Sequence, residues 1–468
     1  MKKLSVLAMA MIVMASCAKE NVQTNENNDQ SNDRRILEIG LASTKTQLGK
    51  EDNGFFPIVW SEGDEIAVIE NMGVEGQNVS VYRLKEGAGT ANGVFEHISG
   101  DAFPKVSTDV VYPASAVVPN STLISEIPIV NVSSLVPKDQ TQSYEAGNFD
   151  KNAAVMYFHR NNAEDKIVLE PLSSIICIPI KGFDDNDVVT AVKWQNMDGR
   201  TATVTLNCPN GVKLSKGQAT NFYLSIQPML KDCNGIAYVY LKNGAIQVKT
   251  PRNLKAFQAG TLHRFPEWTL SKKAKWTIKY IGSERKTSMS NQTPLGLGQY
   301  MIDGNDLSWW EFRRNSKGSM AGPHKVIIDL GKTEHIKGLK IKGPETKITS
   351  SYTVKDEFGE NTITVSNGYN APCSVFASFL KEGELTEAFK STFCNNNSFE
   401  KDAQEVHKAK ITNGITFYYG EGMKDYWNIN LKKEYDARYL VIHFYQCWND
   451  KENGGAANKM KVAELDIY

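Results

Sequence analysis

The chain has 468 residues, 41% of them hydrophobic and 10% aromatic, which is enough for about three domains with ordinary cores. Lysine plus arginine and aspartate plus glutamate both total 53, so no surplus of charge favours nucleic acid or an acidic polymer as partner. Beyond Cys17 the cysteines show neither CxxC nor Cys/His ligand spacing, which excludes the usual zinc motifs.

The first elements concern export. Lys2 and Lys3 precede an apolar run from Leu4 to Met14, short of the about 20 residues that span a bilayer, so the run reads as an export signal. It ends in MASC, which resembles the lipobox of bacterial lipoproteins, with Met14 where that motif usually has leucine. The resemblance implies a signal peptide over 1–16, a lipidated Cys17 and a protein anchored in the outer membrane, exposed at the cell surface. An ordinary secretory signal with an incidental cysteine is the plainer alternative. The stretch AKENVQTNENNDQSNDRR then holds one apolar residue larger than alanine, Val22, so 17–35 reads as a disordered tether.

From Ile36 to Trp268 short runs such as ILEIGLAS, DEIAVIE, VSVYRL, SIICIPIKG and AYVYL are punctuated by Gly, Asn, Asp and Pro. Long helical periodicity is nearly absent, and the spacing predicts antiparallel β-sandwiches. Within WSEGDEI, Gly63 supplies backbone freedom for a turn, Asp64 is placed to bond local amides, and Trp60, Ile66 and Val68 are expected to face a core. STKTQL (43–48), VWSEGDEIAVI (59–69) and VVYPAS (110–115), in that order, resemble the fimbrillin-like surface lipoproteins and pilus subunits of Bacteroidetes. LSSIICIPIKG (172–182) and FQAGTLHRF (257–265) resemble the opening and closing strands of a second such unit. The resemblance implies sandwiches over 36–165 and 166–270, neither of them catalytic. In pilus subunits of this family a protease cuts after an arginine and frees the first strand, and another subunit's strand fills the edge. Arg34 and Arg35 stand just before the first strand here, although a solvated dibasic pair in a linker is the plainer reading.

TLSKKAK (269–275) reads as a short basic bridge at a domain boundary, after which strands resume. IDGNDLSWW (302–310), GPHKVIIDLGKTEHIKGLKI (322–341), ARYLVIHF (437–444) and KVAELDIY (461–468) together are similar to the coagulation-factor type C, or discoidin-like, domain. That jelly roll is shared with family 32 carbohydrate-binding modules. The resemblance implies one domain over 276–468, with an insertion around 343–412 that holds a helix in KEGELTEAFKSTF. The expected fold is thus all-β: two tandem antiparallel sandwiches followed by a discoidin-like jelly roll. Cys208 with Cys233 and Cys373 with Cys394 are conceivable disulfides, and buried free thiols fit equally well.

The same resemblance implies a structural calcium ion beside the joined chain ends, held at Asp303, Asn305, Ser308 and Glu464. Calcium takes about six to eight hard oxygens, and these residues supply the right chemistry. An Asx-type turn capped by its own backbone, with Glu464 solvated, is the alternative. Trp310 matches the family's core tryptophan, which leaves Trp309 pointing the other way. Glycan recognition needs an aromatic face for the sugar's C–H side and planar polar groups for its hydroxyls. The loop candidates are Trp309, Arg313, Arg314, His324, Trp448 and Asn449, with Trp448 the preferred exposed aromatic; Tyr426 and Trp427 lie in the same class, Trp427 reading better as core. Neither GxSxG, HExxH, a Walker loop nor a dinucleotide fingerprint occurs. The chain therefore reads as a surface lipoprotein that captures a glycan. A pilus subunit that joins other subunits is the second reading, and a polysaccharide-acting enzyme the third.

Overall fold

The computed structural model describes residues 36–41, 59–72, 76–101, 107–117, 135–142, 150–162, 165–196, 203–229, 231–281, 298–305, 310–311, 324–343, 348–356, 359–367, 372–390, 404–408, 427–447 and 461–468. Cys17, Arg34 and Arg35 lie outside them. The chain is all-β, as expected, in three units.

The first unit comprises β1 (Ile36–Leu41), β2 (Glu65–Glu70), β3 (Asn78–Glu86), β4 (Asn92–Ser99), β5 (Thr108–Tyr112), β6 (Asp139–Thr141), β7 (Met156–Arg160) and β8 (Ile167–Pro171). Where an open sandwich was expected, all of these but β6 close into a barrel, in the order β1-β4-β3-β2-β5-β7-β8. Closure comes from parallel pairing of Ile39, Gly40 and Leu41 with Ile167, Val168 and Leu169, which removes the free edges of the sheet. β8 lies beyond the expected boundary at 165, yet its hydrogen bonds belong to this barrel.

The WSEGDEI turn accounts for much of the barrel's order. Gly63 takes a φ of 79°, a left-handed conformation that suits glycine, and the Asp64 carboxylate accepts the Ser61 N–H at 2.8 Å. The same carboxylate accepts the Tyr112 hydroxyl at 3.1 Å, tying the turn to β5. Trp60, Ile66 and Val68 pack inside with Phe95 and Tyr112, while Ala67 and Ile69 are buried on the opposite face under Val117 and Leu135. Burial on both faces explains why EIAVIE has no polar alternation.

The second unit is a sandwich of β9 (Ser174–Lys181), β10 (Val188–Asn196), β11 (Val204–Lys213), β12 (Thr220–Ile226), β13 (Gly235–Leu241), β14 (Ile246–Lys249), β15 (Leu262–Arg264) and β16 (Trp268–Thr269). One sheet runs β14-β13-β10-β11-β6 and the other β12-β9-β15, with β16 on β9. The barrel thus lends β6 to its neighbour's sheet, in parallel with β11. β9 is shared the other way: Ile176, Ile178 and Ile180 enter the sandwich core, whereas Cys177 and Ile175, with Tyr223 of β12, pack into the barrel core. Cys177, Cys208 and Cys233 are free thiols, so the conceivable Cys208–Cys233 bond is not formed; Cys394 lies outside the described residues.

The third unit contains β17 (Thr277–Ile281), β18 (Trp310–Glu311), β19 (His324–Lys342), β20 (Ile348–Asp356), β21 (Gly359–Asn367), β22 (Pro372–Leu380), β23 (Gln404–Lys408), β24 (Trp427–Cys447), β25 (Lys461–Val462) and β26 (Glu464–Ile467). Its main sheet runs β17-β19-β24-β22-β23 with β26 on β19, while β18-β25 and β20-β21 pair separately. The stretch expected as an insertion is divided: β20 and β21 form an added hairpin, but β22 is an interior strand of the main sheet. Of the expected helix, one turn at 387–390 is described. Leu385 and Phe389 near that turn pack with Ile327 and Val441 on the back of the sheet.

The front of the sheet carries the core, with Trp276, Trp310, Val326, Ile328, Leu440, Ile442 and Leu465. Trp310 is fully buried, its ring centre 5.7 Å from that of Phe444, as expected of a core tryptophan. On the back, Lys325 and His443 are buried as a cross-strand pair.

Two outcomes follow. Asp64→Ala strands the buried Tyr112 hydroxyl and loosens the turn, and urea unfolding should show a loss of about 3 kcal/mol; a loss under about 0.5 kcal/mol would contradict this assignment. For His443, burial first and Lys325 second push the imidazole from 6.5 down to about 4. The unfolded chain then binds the proton first, so this stabilising contribution is complete above pH 6.5 and disappears as pH falls towards about 4. The full contribution is about 3 kcal/mol, and His443→Gln should flatten the measured slope of stability against pH across that window.

Candidate functional site

Two regions of the third unit concentrate chemistry: the corner where its chain ends meet, and the loops at the ends of β18, β19 and β24. The corner begins with the turn Asp303-Gly304-Asn305. Asp303 Oδ1 accepts the Asn305 N–H at 2.8 Å, and Gly304 takes a φ of 81°, which completes an Asx-type turn. The Asp303 carbonyl accepts the Val248 N–H of β14 at 3.3 Å, so the turn is docked on the second unit. Tyr300, just before it, is buried against Tyr238 with ring centroids 6.3 Å apart.

Glu464 closes the corner from the last strand and is buried, contrary to the solvated alternative. Its partner is Lys273, in the stretch that the sequence shows as a short basic bridge. Ser271 caps a 3-10 turn at Lys272–Lys275, and this turn inserts Lys273 into the joint at 4% exposure. The Lys273 ammonium ion-pairs directly with Glu464 Oε1 and lies 3.6 Å from Asp466 Oδ2. Lys272 donates to the Ile467 carbonyl at 3.1 Å and lies 3.1 Å from Asp466 Oδ1. Both ammonium groups stand 5.6 Å from the centre of the Trp276 ring. Burial pushes the Glu464 carboxyl up, and the Lys273 charge pulls it back. Gly304 N–H lies near this carboxylate, yet Glu464 Oε2 makes no hydrogen bond among the described residues.

The structure therefore brings together three of the four residues named for calcium, Asp303, Asn305 and Glu464; Ser308 lies outside the described residues. As arranged, the three described members do not fit a divalent ion. The oxygen Oε2 is open, but the negative charge it shares is already matched by a buried ammonium, and Asp303 is engaged in its turn and with β14. Among the described residues no group of three or more His, Cys, Asp or Glu side chains is placed to hold a metal.

Lys275, at the end of the same turn, points the other way. Its ammonium lies 2.9 Å from Asp184 Oδ1 and 2.5 Å from Asp187 Oδ1 in the second unit. A polar cleft of about 620 Å³ opens beside this contact, lined also by Lys279, Asp329 and Arg438. Lys279 and Arg438 both pair with Asp329, at 3.4 and 3.2 Å. With these charges answered internally, the cleft serves as the lining of a joint.

The glycan-contact candidates Trp309, Arg313, Arg314, Trp448 and Asn449 lie outside the described residues, and His324 begins β19 with its side chain outside them. The strands that carry these loops are described. Residues 312–323 connect β18 to β19, and residues 448–460 connect β24 to β25. β18 pairs with β25, Glu311 opposite Lys461, and β19 pairs with β24, His324 opposite Phe444. Both loops therefore run between the same two strand pairs, and their ends are anchored side by side. The spacing of SWWEFRR and QCWND in the sequence gives no sign of that; antiparallel register alone creates it.

No protein-family model matches the sequence, and no curated protein matches it. Solved structures are similar to parts of it. One is the family 32 carbohydrate-binding module of Clostridium perfringens NanJ in complex with galactose, 15% identical, covering 42% of this chain and 95% of that one, with a TM-score of 0.23. A second is CpGH89CBM32-5 from Clostridium perfringens in complex with GalNAc-β-1,3-galactose, 12% identical over 42% of this chain and 97% of that one, TM-score 0.25. A third is a fragment of a chitobiase-like protein from Bacteroides thetaiotaomicron, 10% identical over 42% of this chain and 90% of that one, TM-score 0.27.

Proposed function

We propose that this chain is a cell-surface lipoprotein that captures a glycan on the loops 312–323 and 448–460 of its third unit, held away from the outer membrane by the tether and the two units before it. The observation that supports the reading is the shared anchorage of the ends of residues 312–323 and 448–460, ranges whose sequence contains Arg313 and Arg314 in the first and Trp448 and Asn449 in the second. An aromatic face with guanidinium and amide groups nearby is the combination a sugar ring requires. The MASC sequence supports lipidation at Cys17, and the ordered fimbrillin-like pieces support a Bacteroidetes surface protein. Mechanism here means retention: a tethered binder raises the local concentration of its ligand at the surface.

The mature chain should bind at least one carbohydrate class on a glycan array, with and without calcium. Trp448→Ala should weaken that binding by about tenfold or more, and Lys242→Ala at the interdomain cleft should leave it unchanged. An array without hits under both conditions would refute the reading, and release of reducing ends from a polysaccharide would replace it with the enzyme reading. Separately, incorporation of labelled fatty acid should disappear in Cys17→Ser.

Assembly by strand exchange has one observation in its favour: β1, though paired on both edges, buries little of its side-chain surface. Only Ile39 of its six residues is buried, and Ile36 is 45% exposed. A cut after Arg35 would nevertheless leave β1 attached through residues 42–58, so exchange requires β1 itself to lift from between β4 and β8. A trypsin-like protease should leave the treated chain monomeric under the first reading; a ladder of polymers would establish the second.

A further inference from the structure

We infer that the Asp303-Gly304-Asn305 and Glu464 corner is a metal-free joint, in which the Lys273 ammonium stands where a divalent cation would otherwise neutralise Glu464. The third unit thereby holds its fold and its seat on the second unit without calcium.

Charge is the first ground. Lys272 and Lys273 face Glu464 and Asp466, so these two carboxylates are already met by ammonium groups, and a divalent ion at Glu464 would have to compete with them. Two buried cations beside one carboxylate repel at low effective dielectric, so the ion could enter only by expelling the lysine.

Lys273 is not free to leave, which is the second ground. Its N–H donates to the Ser271 Oγ cap at 3.3 Å, and that hydroxyl donates to Gln247 Oε1 at 2.9 Å. On its other side the Ala274 carbonyl accepts the Asn243 amide at 2.8 Å. Ala274 is buried in the core of the second unit and Trp276 in that of the third, so the backbone around Lys273 is fixed from both directions.

The third ground is what the lysine connects. Its turn sends Lys275 to Asp184 and Asp187 of the second unit and Lys272 and Lys273 to the final strand of the third. An ion bound at Glu464 and Asp303 would join the ends of one domain. A lysine on the linker joins those ends and also fastens the neighbouring domain.

The test is thermal unfolding of the full mature chain in EDTA and in excess calcium chloride, with calorimetric titration of calcium alone. The wild-type transitions should coincide in the two conditions, and the titration should show no binding heat. A rise of several degrees with calcium, or stoichiometric binding, would overturn the inference. In parallel, Lys273→Met should lower the transition of the third unit by about 10 °C, because it leaves a buried carboxylate uncompensated. Lys273→Met combined with Glu464→Gln should recover at least half of that loss. Strict additivity of the two single effects would count against the pairing. Should Lys273→Met fail to fold, the comparison of wild-type protein in EDTA and calcium still decides the matter.

Discussion

The buried pair of Lys273 and Glu464 is the contact on which the arrangement of the C-terminal half depends. Removing one member of such a pair typically costs about 3–5 kcal/mol, because the other is left charged and dry, whereas an apolar replacement of both is often neutral. Its value here lies in specificity. Glu464 accepts an ammonium brought from the linker, and that linker can deliver it only when Ala274 and Trp276 occupy their separate cores. The last strand is also held by its pairing with β19 and the second unit by Lys275 with Asp184 and Asp187, and this interaction joins those contacts at one point.

The same economy recurs along the chain. β9 buries isoleucines in one core and Cys177 in another, β6 leaves the barrel to complete a sheet of the second unit, and Tyr300 of the third unit caps the outer face of that sheet. Each junction hides apolar surface that an isolated domain would expose, and this ties neighbouring units together more firmly than a linker alone would.

In the third unit the main sheet does the positioning. The long antiparallel pairing of β19 with β24 and the short one of β18 with β25 bring together the ends of two loops separated by more than a hundred residues in sequence. Trp310, the second of the doubled tryptophans, is committed to the core. Lys325 and His443, buried at the base of the same strands, give this end of the sheet a polar underlayer whose histidine stays neutral at ordinary pH.

Local chemistry decided a good deal. Short strands between turn residues determined the all-β class; Gly63 and Asp64 determined the turn that starts the barrel; and Asp303 with Asn305 determined a tight Asx turn. Each depends on neighbours a few residues apart, which a sequence displays directly. Closure of the barrel, the donation of β6, the place of β22 inside the main sheet and the burial of Lys273 were decided only in three dimensions. KKAK reads as a basic bridge because lysine is costly to bury, and Glu464, 191 residues away, reverses that preference for Lys273. Sequence supplied the charge and the carboxylate, and tertiary structure decided that they meet.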